Sequence, residues 1–158
     1  MIGLRRGFTL TEMLVTVAIL AILAGAAVPL AKNAVQREKE IELQRALREM
    51  REAIDAYKKL ADEKKIQPES DTEGYPPDLK TLVEGVELGG AAGESSGGAK
   101  VVKFLRRIPK DPMTGARDWG LRSFQDEPEA SAWGGENVYD IYTKSRGKAL
   151  DGSLYREW

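Results

Sequence analysis

The side chains best suited to acid–base chemistry are the aspartates of the C-terminal half, Asp111, Asp118, Asp126 and Asp140. General acid–base catalysis needs such groups placed within hydrogen-bond reach of a reacting centre, and no spacing among the four singles out a pair. The chain has no cysteine and no histidine. That removes thiolate nucleophiles, histidine-based triads, disulfide staples and the usual zinc ligand sets. Catalysis would have to rest on carboxylates, Lys, Ser or Tyr, so the composition weighs against an enzyme. With 24 Lys+Arg against 25 Asp+Glu and a formal net charge of -1, it also points to no nucleic-acid partner.

A further carboxylate, Glu12, is informative because of where it stands. Residues 13–31 read MLVTVAILAILAGAAVPLA, with Thr16 as the most polar side chain. About 20 apolar residues, rising about 1.5 Å each, cross a hydrocarbon core of about 30 Å, so a helix from Phe8 is long enough to span. Arg5 and Arg6 precede it, which keeps the N-terminus cytoplasmic by the positive-inside rule. Two plain readings compete. One is a cleaved secretory signal, with Ala24, Gly25, Ala26 and Ala27 supplying small residues near a cut. The other is an ordinary single-pass anchor. Glu12 counts against both, because an acidic side chain costs roughly 2.5–3.5 kcal/mol at the centre of a membrane helix and less near its end. It becomes tolerable if a cation meets it there. Cleavage after Gly7 would free the α-amino group of Phe8 within one helical turn of Glu12, and in a filament the ammonium of one subunit could pair with Glu12 of the next.

The elements that hold these residues follow from pattern. The 158 residues leave room for one domain, or for one long element plus a small domain. Pro29 removes a helical hydrogen bond and crowds the preceding turn. It therefore predicts a kink, with Gly25 adding to the weakness, since the helical pattern resumes at once. Residues 30–65 hold no glycine or proline. Leu43, Leu47, Met50, Ile54, Tyr57 and Ala61 recur at steps of four and three, one apolar face of a helix. Around them Arg45 with Glu49, Arg48 with Glu52 and Asp55 with Lys59 stand at i,i+4, most of them expected on a solvated face. The stripe is short and gives way to a Gly- and Pro-punctuated region, which favours packing on a small sheet of the same chain over a coiled coil. Ala34, Val35 and Ile41 are candidates for contacts between subunits.

Beyond the stem, Gly74-Tyr75-Pro76-Pro77 is turn chemistry leading to a short helix over 78–83 with Asp78 as N-cap. Residues 85–99 (GVELGGAAGESSGGA) read as a flexible low-complexity loop. A short element over 101–105 leads to Ile108-Pro109-Lys110-Asp111-Pro112 and a Thr114-Gly115 turn. Strands are expected over 118–124 and 138–142, antiparallel and joined by the polar loop 125–136. Asp151-Gly152 is a closing turn, followed by Tyr155 and Trp158.

The string Arg5-Arg6-Gly7-Phe8-Thr9-Leu10-Thr11-Glu12-Met13-Leu14-Val15 closely resembles the processing site of type IV prepilins and type II secretion pseudopilins. The shared features are a basic leader, Gly before the cut, Phe after it, a Glu four residues on and an apolar run. The resemblance implies cleavage between Gly7 and Phe8 by a prepilin peptidase, N-methylation of Phe8 and an assembly role for Glu12. Pro29 falls where family members carry a helix-bending proline. Tyr75-Pro76 with Leu79 and Leu82, then Ile108-Pro109-Lys110-Asp111-Pro112 and Asp151-Gly152, look like the G-type major pseudopilin. The absence of cysteine fits as well, because many type IV major pilins close their C-terminal loop with a disulfide.

The implied fold is α+β, a pilin-like long N-terminal helix packed on a small antiparallel sheet. Its parts are a leader (1–7), a membrane and assembly helix (8–31), an amphipathic stem (32–65) and a periplasmic domain (66–158) that carries the loop 85–99. The implied protein is a single-pass inner-membrane subunit that polymerises into a periplasmic pseudopilus. Its partners would be copies of itself, minor pseudopilins and inner-membrane components of the secretion machinery. A type IV pilin or minor pilin is the same-class alternative, and a membrane-anchored binding module or carboxylate enzyme the different-class one. G-type pseudopilins commonly bind calcium in a Gly- and Asp-rich C-terminal loop. Here Asp151 matches one acidic position, but Ser153-Leu154-Tyr155-Arg156-Glu157-Trp158 follows where further Gly and Asp residues should stand. A plain Asp-Gly turn closed by Tyr155 and Trp158 is the competing reading.

Overall fold

The computed structural model describes residues 7–89, 100–130 and 132–158. Leader residues 1–6, Arg5 and Arg6 among them, lie outside the described residues, as do most of the low-complexity loop (90–99) and Ser131 of the loop 125–136. A long helix, α1 (Leu10–Asp62), is followed by α2 (Leu79–Glu84) and four short strands: β1 (Val86–Leu88), β2 (Lys100–Val102), β3 (Gly120–Arg122) and β4 (Asp140–Tyr142). A 3-10 turn at Tyr155–Glu157 closes the chain. This is the α+β arrangement expected. The strands form two antiparallel pairs, β1 with β2 and β3 with β4, in the registers Val86↔Val102 and Gly120↔Tyr142. Contacts divide the chain into two compact units, one up to Glu38 and one from Lys39 to Trp158.

The N-terminal unit is helix from Leu10 onward, with Pro29 inside it and helix on both sides. Its large apolar side chains are exposed, from Phe8 and Leu10 through Leu23 to Leu30 and Val35. The C-terminal unit holds the core. The helical period of the stem is what builds it: Leu43, Leu47, Met50, Ile54 and Tyr57 are buried against Leu82, Leu105, Trp119, Val138, Ile141 and Tyr155. Ala46 and Ala53 fill the same face, and Ala61 packs at its margin. The flanking Arg45, Arg48, Glu49, Glu52, Asp55 and Lys59 stay exposed, as a solvated face should. An i,i+4 pair forms one turn later, Lys58 Nζ to Asp62 Oδ1 at 2.6 Å.

Helix α1 stops at Asp62 without a glycine. Lys64 takes the left-handed conformation (φ 56°), while the Lys65 amide donates to the Leu60 carbonyl and the Lys64 amide to the Ala61 carbonyl, both at 2.9 Å. That double bond pattern is a Schellman motif, which satisfies carbonyls the helix end would leave open. Asp78 caps α2 as expected, its Oδ1 accepting from the Thr81 amide at 2.8 Å.

Part of the loop expected over 85–99 is ordered structure. Val86–Leu88 is strand β1, paired across residues 90–99 with β2, which itself begins at Lys100. Three strand residues flanked by glycines carry too little periodicity to be read from sequence. Gly85 permits the pairing. It has φ 88°, and a Cβ there would stand 2.6 Å from the Val102 carbonyl oxygen. In the second pair, β3 and β4 fall inside the expected spans, and Gly120 is required because a Cβ would overlap the Tyr142 ring opposite it.

Candidate functional site

Residues 7–9 precede the helix, and Gly7 and Phe8 are exposed, Phe8 by 73%. Thr9 caps α1: its carbonyl accepts from the Met13 amide at 3.1 Å and its Oγ1 from the Glu12 amide at 3.3 Å. Thr-x-x-Glu ahead of an apolar run is the signature of a capping box, a signal present in Thr9–Glu12 that the cleavage-site pattern overshadows. Glu12 thus occupies the first turn of α1, where the positive end of the helix dipole favours a carboxylate. Gly7 and Phe8 form an accessible, non-helical junction, and Glu12 follows within one turn.

From that junction onward α1 presents apolar side chains to its surroundings on every face. Leu10, Leu14, Val17, Leu20, Leu23 and Val28 are each more than half exposed, a larger apolar surface than a soluble monomer carries. It is the one stretch among the described residues long and apolar enough to cross a membrane. Its polar side chains are already served. The Thr16 hydroxyl donates to the Met13 carbonyl at 2.9 Å, and the Thr9 and Thr11 hydroxyls bond one another at 3.1 Å. That leaves Glu12 as the group whose chemistry asks for a partner.

The four C-terminal aspartates do not converge. Asp111 is fully buried and accepts from the Met113 amide (2.8 Å), the Thr114 hydroxyl (3.0 Å) and the Thr143 hydroxyl. Asp118 pairs with Lys144 at 2.6 Å. Asp126 accepts amides from Ser123 (2.7 Å) and Gly134 (3.1 Å), and these bonds, the Ser123 amide foremost, hold its carboxyl below the usual range. Asp140 lies between Arg51 (2.8 Å) and Arg122 (3.4 Å). Each carboxylate fastens a loop or a strand.

Asp151 behaves likewise. Its Oδ1 accepts from the Ser153 hydroxyl at 2.7 Å and the Ser153 amide at 2.9 Å, which lowers its pKa. Calcium takes six to eight oxygens, usually from several carboxylates. Among the described residues no group of three or more His, Cys, Asp or Glu side chains stands together as a metal site would need, and Asp151 spends its Oδ1 on Ser153. The turn is closed instead by aromatic packing, with Tyr155 and Trp158 edge-to-face at 5.2 Å.

Two residues that pattern reading passed over tie this region to the stem. Glu40 Oε1 accepts from the Leu150 amide (2.9 Å) and the Tyr155 hydroxyl (2.8 Å). Arg51 donates to Asp140, to the Ile141 carbonyl and, at 2.8 Å, to the Trp158 carbonyl.

Residues 3–28 match the family model described as the prokaryotic N-terminal methylation motif, the prepilin-type leader of type IV pilin-like proteins. The match takes in the Gly7–Phe8 junction, Glu12 and most of the exposed apolar run, and ends just before Pro29. No curated protein and no solved structure matches the chain.

Proposed function

We propose that this chain is a structural pseudopilin, a subunit that polymerises into the periplasmic pseudopilus of a type II protein secretion system. The observation that carries the reading is the junction itself: Gly7 and Phe8 exposed and non-helical, inside a methylation motif, with Glu12 one turn into an apolar helix. A prepilin peptidase cuts between Gly7 and Phe8, and the new amino group is methylated. Arg5 and Arg6 hold the N-terminus on the cytoplasmic side, α1 anchors the subunit in the inner membrane, and the unit from Lys39 lies in the periplasm. Pro29 bends the anchoring helix where it leaves the membrane. Partners are copies of the chain itself, minor pseudopilins and the inner-membrane components of the secretion machinery. The subunit performs no chemistry of its own, in keeping with carboxylates that are spent on loops and strands.

A type IV pilus subunit would bear the same leader. The absence of cysteine favours the pseudopilin, since it leaves the C-terminal loop to be closed by Tyr155 and Trp158 rather than by a disulfide. Mass spectrometry of the membrane-extracted protein tests the common part: residues 1–7 lost and one methyl added on Phe8. Cleavage near Ala26 instead would sink both readings. Neighbouring genes for a secretion ATPase and a secretin, rather than a retraction motor, separate pseudopilin from pilin.

A further inference from the structure

Residues 100–117 are charged one way. They hold six cations, Lys100, Lys103, Arg106, Arg107, Lys110 and Arg117, and a single carboxylate, Asp111, in a chain whose formal net charge is -1. Asp111 is buried and already accepts from the Met113 amide and from the Thr114 and Thr143 hydroxyls. The next acidic residue, Asp118, pairs with Lys144. Neither is left to neutralise the cations beside it.

Three of these cations converge with a fourth from the stem. Arg107, Lys110 and Arg117 line a cavity of about 410 Å³ together with Arg45, and its apolar wall is Ala46, Ile108 and Pro109. All four cations are exposed, and none takes an ion pair among the described residues. Glu42 and Glu49 also line the cavity. Both stand on α1, three residues before Arg45 and four after it, spacings that compensate Arg45 first. Even with both counted, four cations face two carboxylates. The turn that bears three of the cations is fastened to the core. The Pro109 carbonyl accepts from the indole of buried Trp119 at 3.0 Å, and the Asp111 amide donates to the Ala116 carbonyl at 2.8 Å. Like charges gathered in this way repel one another, and a turn so fastened does little to relieve it. An anion does.

The arrangement also selects among anions. A carboxylate has two oxygens and is satisfied by one guanidinium fork. A phosphate monoester carries about −1.5 to −2 charge at pH 7 and three strong acceptor oxygens, which suits donors that arrive from the stem, from 107–110 and from 117. Arginine forks match its geometry, and lysine adds a point charge. The other cation-rich cavity, lined by Arg122, Lys144, Arg146 and Arg156, differs in that Asp140 and Asp118 already engage Arg122 and Lys144.

We propose that the Arg45–Arg107–Lys110–Arg117 cavity is a binding site for inorganic phosphate or a phosphate monoester. The site is separate from the Gly7–Phe8 junction and does not depend on the polymer reading. NMR titration of the full-length chain in maltoside micelles, which contain no phosphate, tests it. At constant ionic strength, inorganic phosphate should shift the amides of Arg107, Lys110 and Arg117 saturably, with a Kd of about 1 mM or tighter, and acetate should bind at least tenfold more weakly. Arg107→Gln with Arg117→Gln should weaken phosphate binding at least tenfold, whereas Arg146→Gln with Arg156→Gln should leave it unchanged; unaltered melting temperatures show that both variants fold. Nanodiscs separate the two sources of the group. If a lipid headgroup fills the site, discs containing phosphatidic acid show the shifted amides before any phosphate is added, compared with phosphatidylcholine alone. If free phosphate fills it, the shifts appear only on its addition. A response to phosphate that does not saturate, acetate binding as tightly as phosphate, or an equal loss in the Arg146 and Arg156 variant would each overturn the proposal.

Discussion

Asp111 is the clearest case of a carboxylate whose role is set by what surrounds it. Its side chain is fully buried and accepts from a backbone amide and two hydroxyls, so it joins the 111–116 turn to the chain just after β4. Each donor stranded by its removal costs about 1–3 kcal/mol. Asp111→Ala is expected to lower stability by roughly 2–4 kcal/mol, read by denaturant unfolding, with Asp111→Asn milder because one carbonyl oxygen still accepts the Met113 amide. Asp126 gives a pH signature instead. The Ser123 and Gly134 amides depress its pKa below the ordinary aspartate value of 3.8, so the folded state binds that proton less readily than the unfolded chain does. The stabilisation is complete above 3.8 and is lost as pH falls through the depressed value. An NMR titration following the Ser123 and Gly134 amides should show a midpoint below 3.8; a midpoint above it would contradict this account.

At the scale of elements, the end of α1 shows a compromise that can be reversed. Lys64 sits at φ 56°, a conformation that costs a residue with a Cβ about 1–2 kcal/mol and glycine nothing. Glycine also loses more freedom on folding, so Lys64→Gly should stabilise the C-terminal unit by roughly 0.5–1 kcal/mol, measured as a raised melting temperature. No glycine marks this stop, and the sequence pattern runs on to residue 65, which explains why the helix reads longer in sequence than it is. Local rules served well elsewhere. The Leu43–Ala61 stripe and the Asp78 cap were legible because each depends on residues within a turn or two of one another. The methylation motif matched over residues 3–28 was legible for the same reason, its positions being close together in sequence. Arg51 with Asp140, 89 residues apart, and Glu40 with Tyr155, 115 apart, leave no such trace. An exposed charge on a helix reads the same whether it faces water or a distant strand. Strand β1 was missed for a related reason, since its partner lies across a low-complexity segment and its three residues show no alternation of their own.

For the whole molecule the question is what covers the apolar part of α1. Lipid can do so, and so can neighbouring copies, but exchanging one for the other yields no hydrophobic gain, because lipid tails are as apolar as leucine. Assembly out of the bilayer therefore has to be favoured by close packing and by polar contacts. Between Phe8 and Ala31 the chain offers one charged side chain, Glu12. Its cap bond from the amide to Thr9 engages the backbone, so under the proposed processing the carboxylate is open to the ammonium of a neighbour's cut Phe8. Pairing there would offset a desolvation cost that lipid alone cannot relieve. Glu12→Ala should consequently be inserted, cut and anchored as the wild type is, yet yield at least tenfold fewer filaments. Thr9→Ala separates this charge effect from helix capping. It loses a cap worth about 0.5–2 kcal/mol while keeping the carboxylate, and its filament yield should stay near that of the wild type. If the two variants assemble equally poorly, the helix start rather than the ion pair governs assembly.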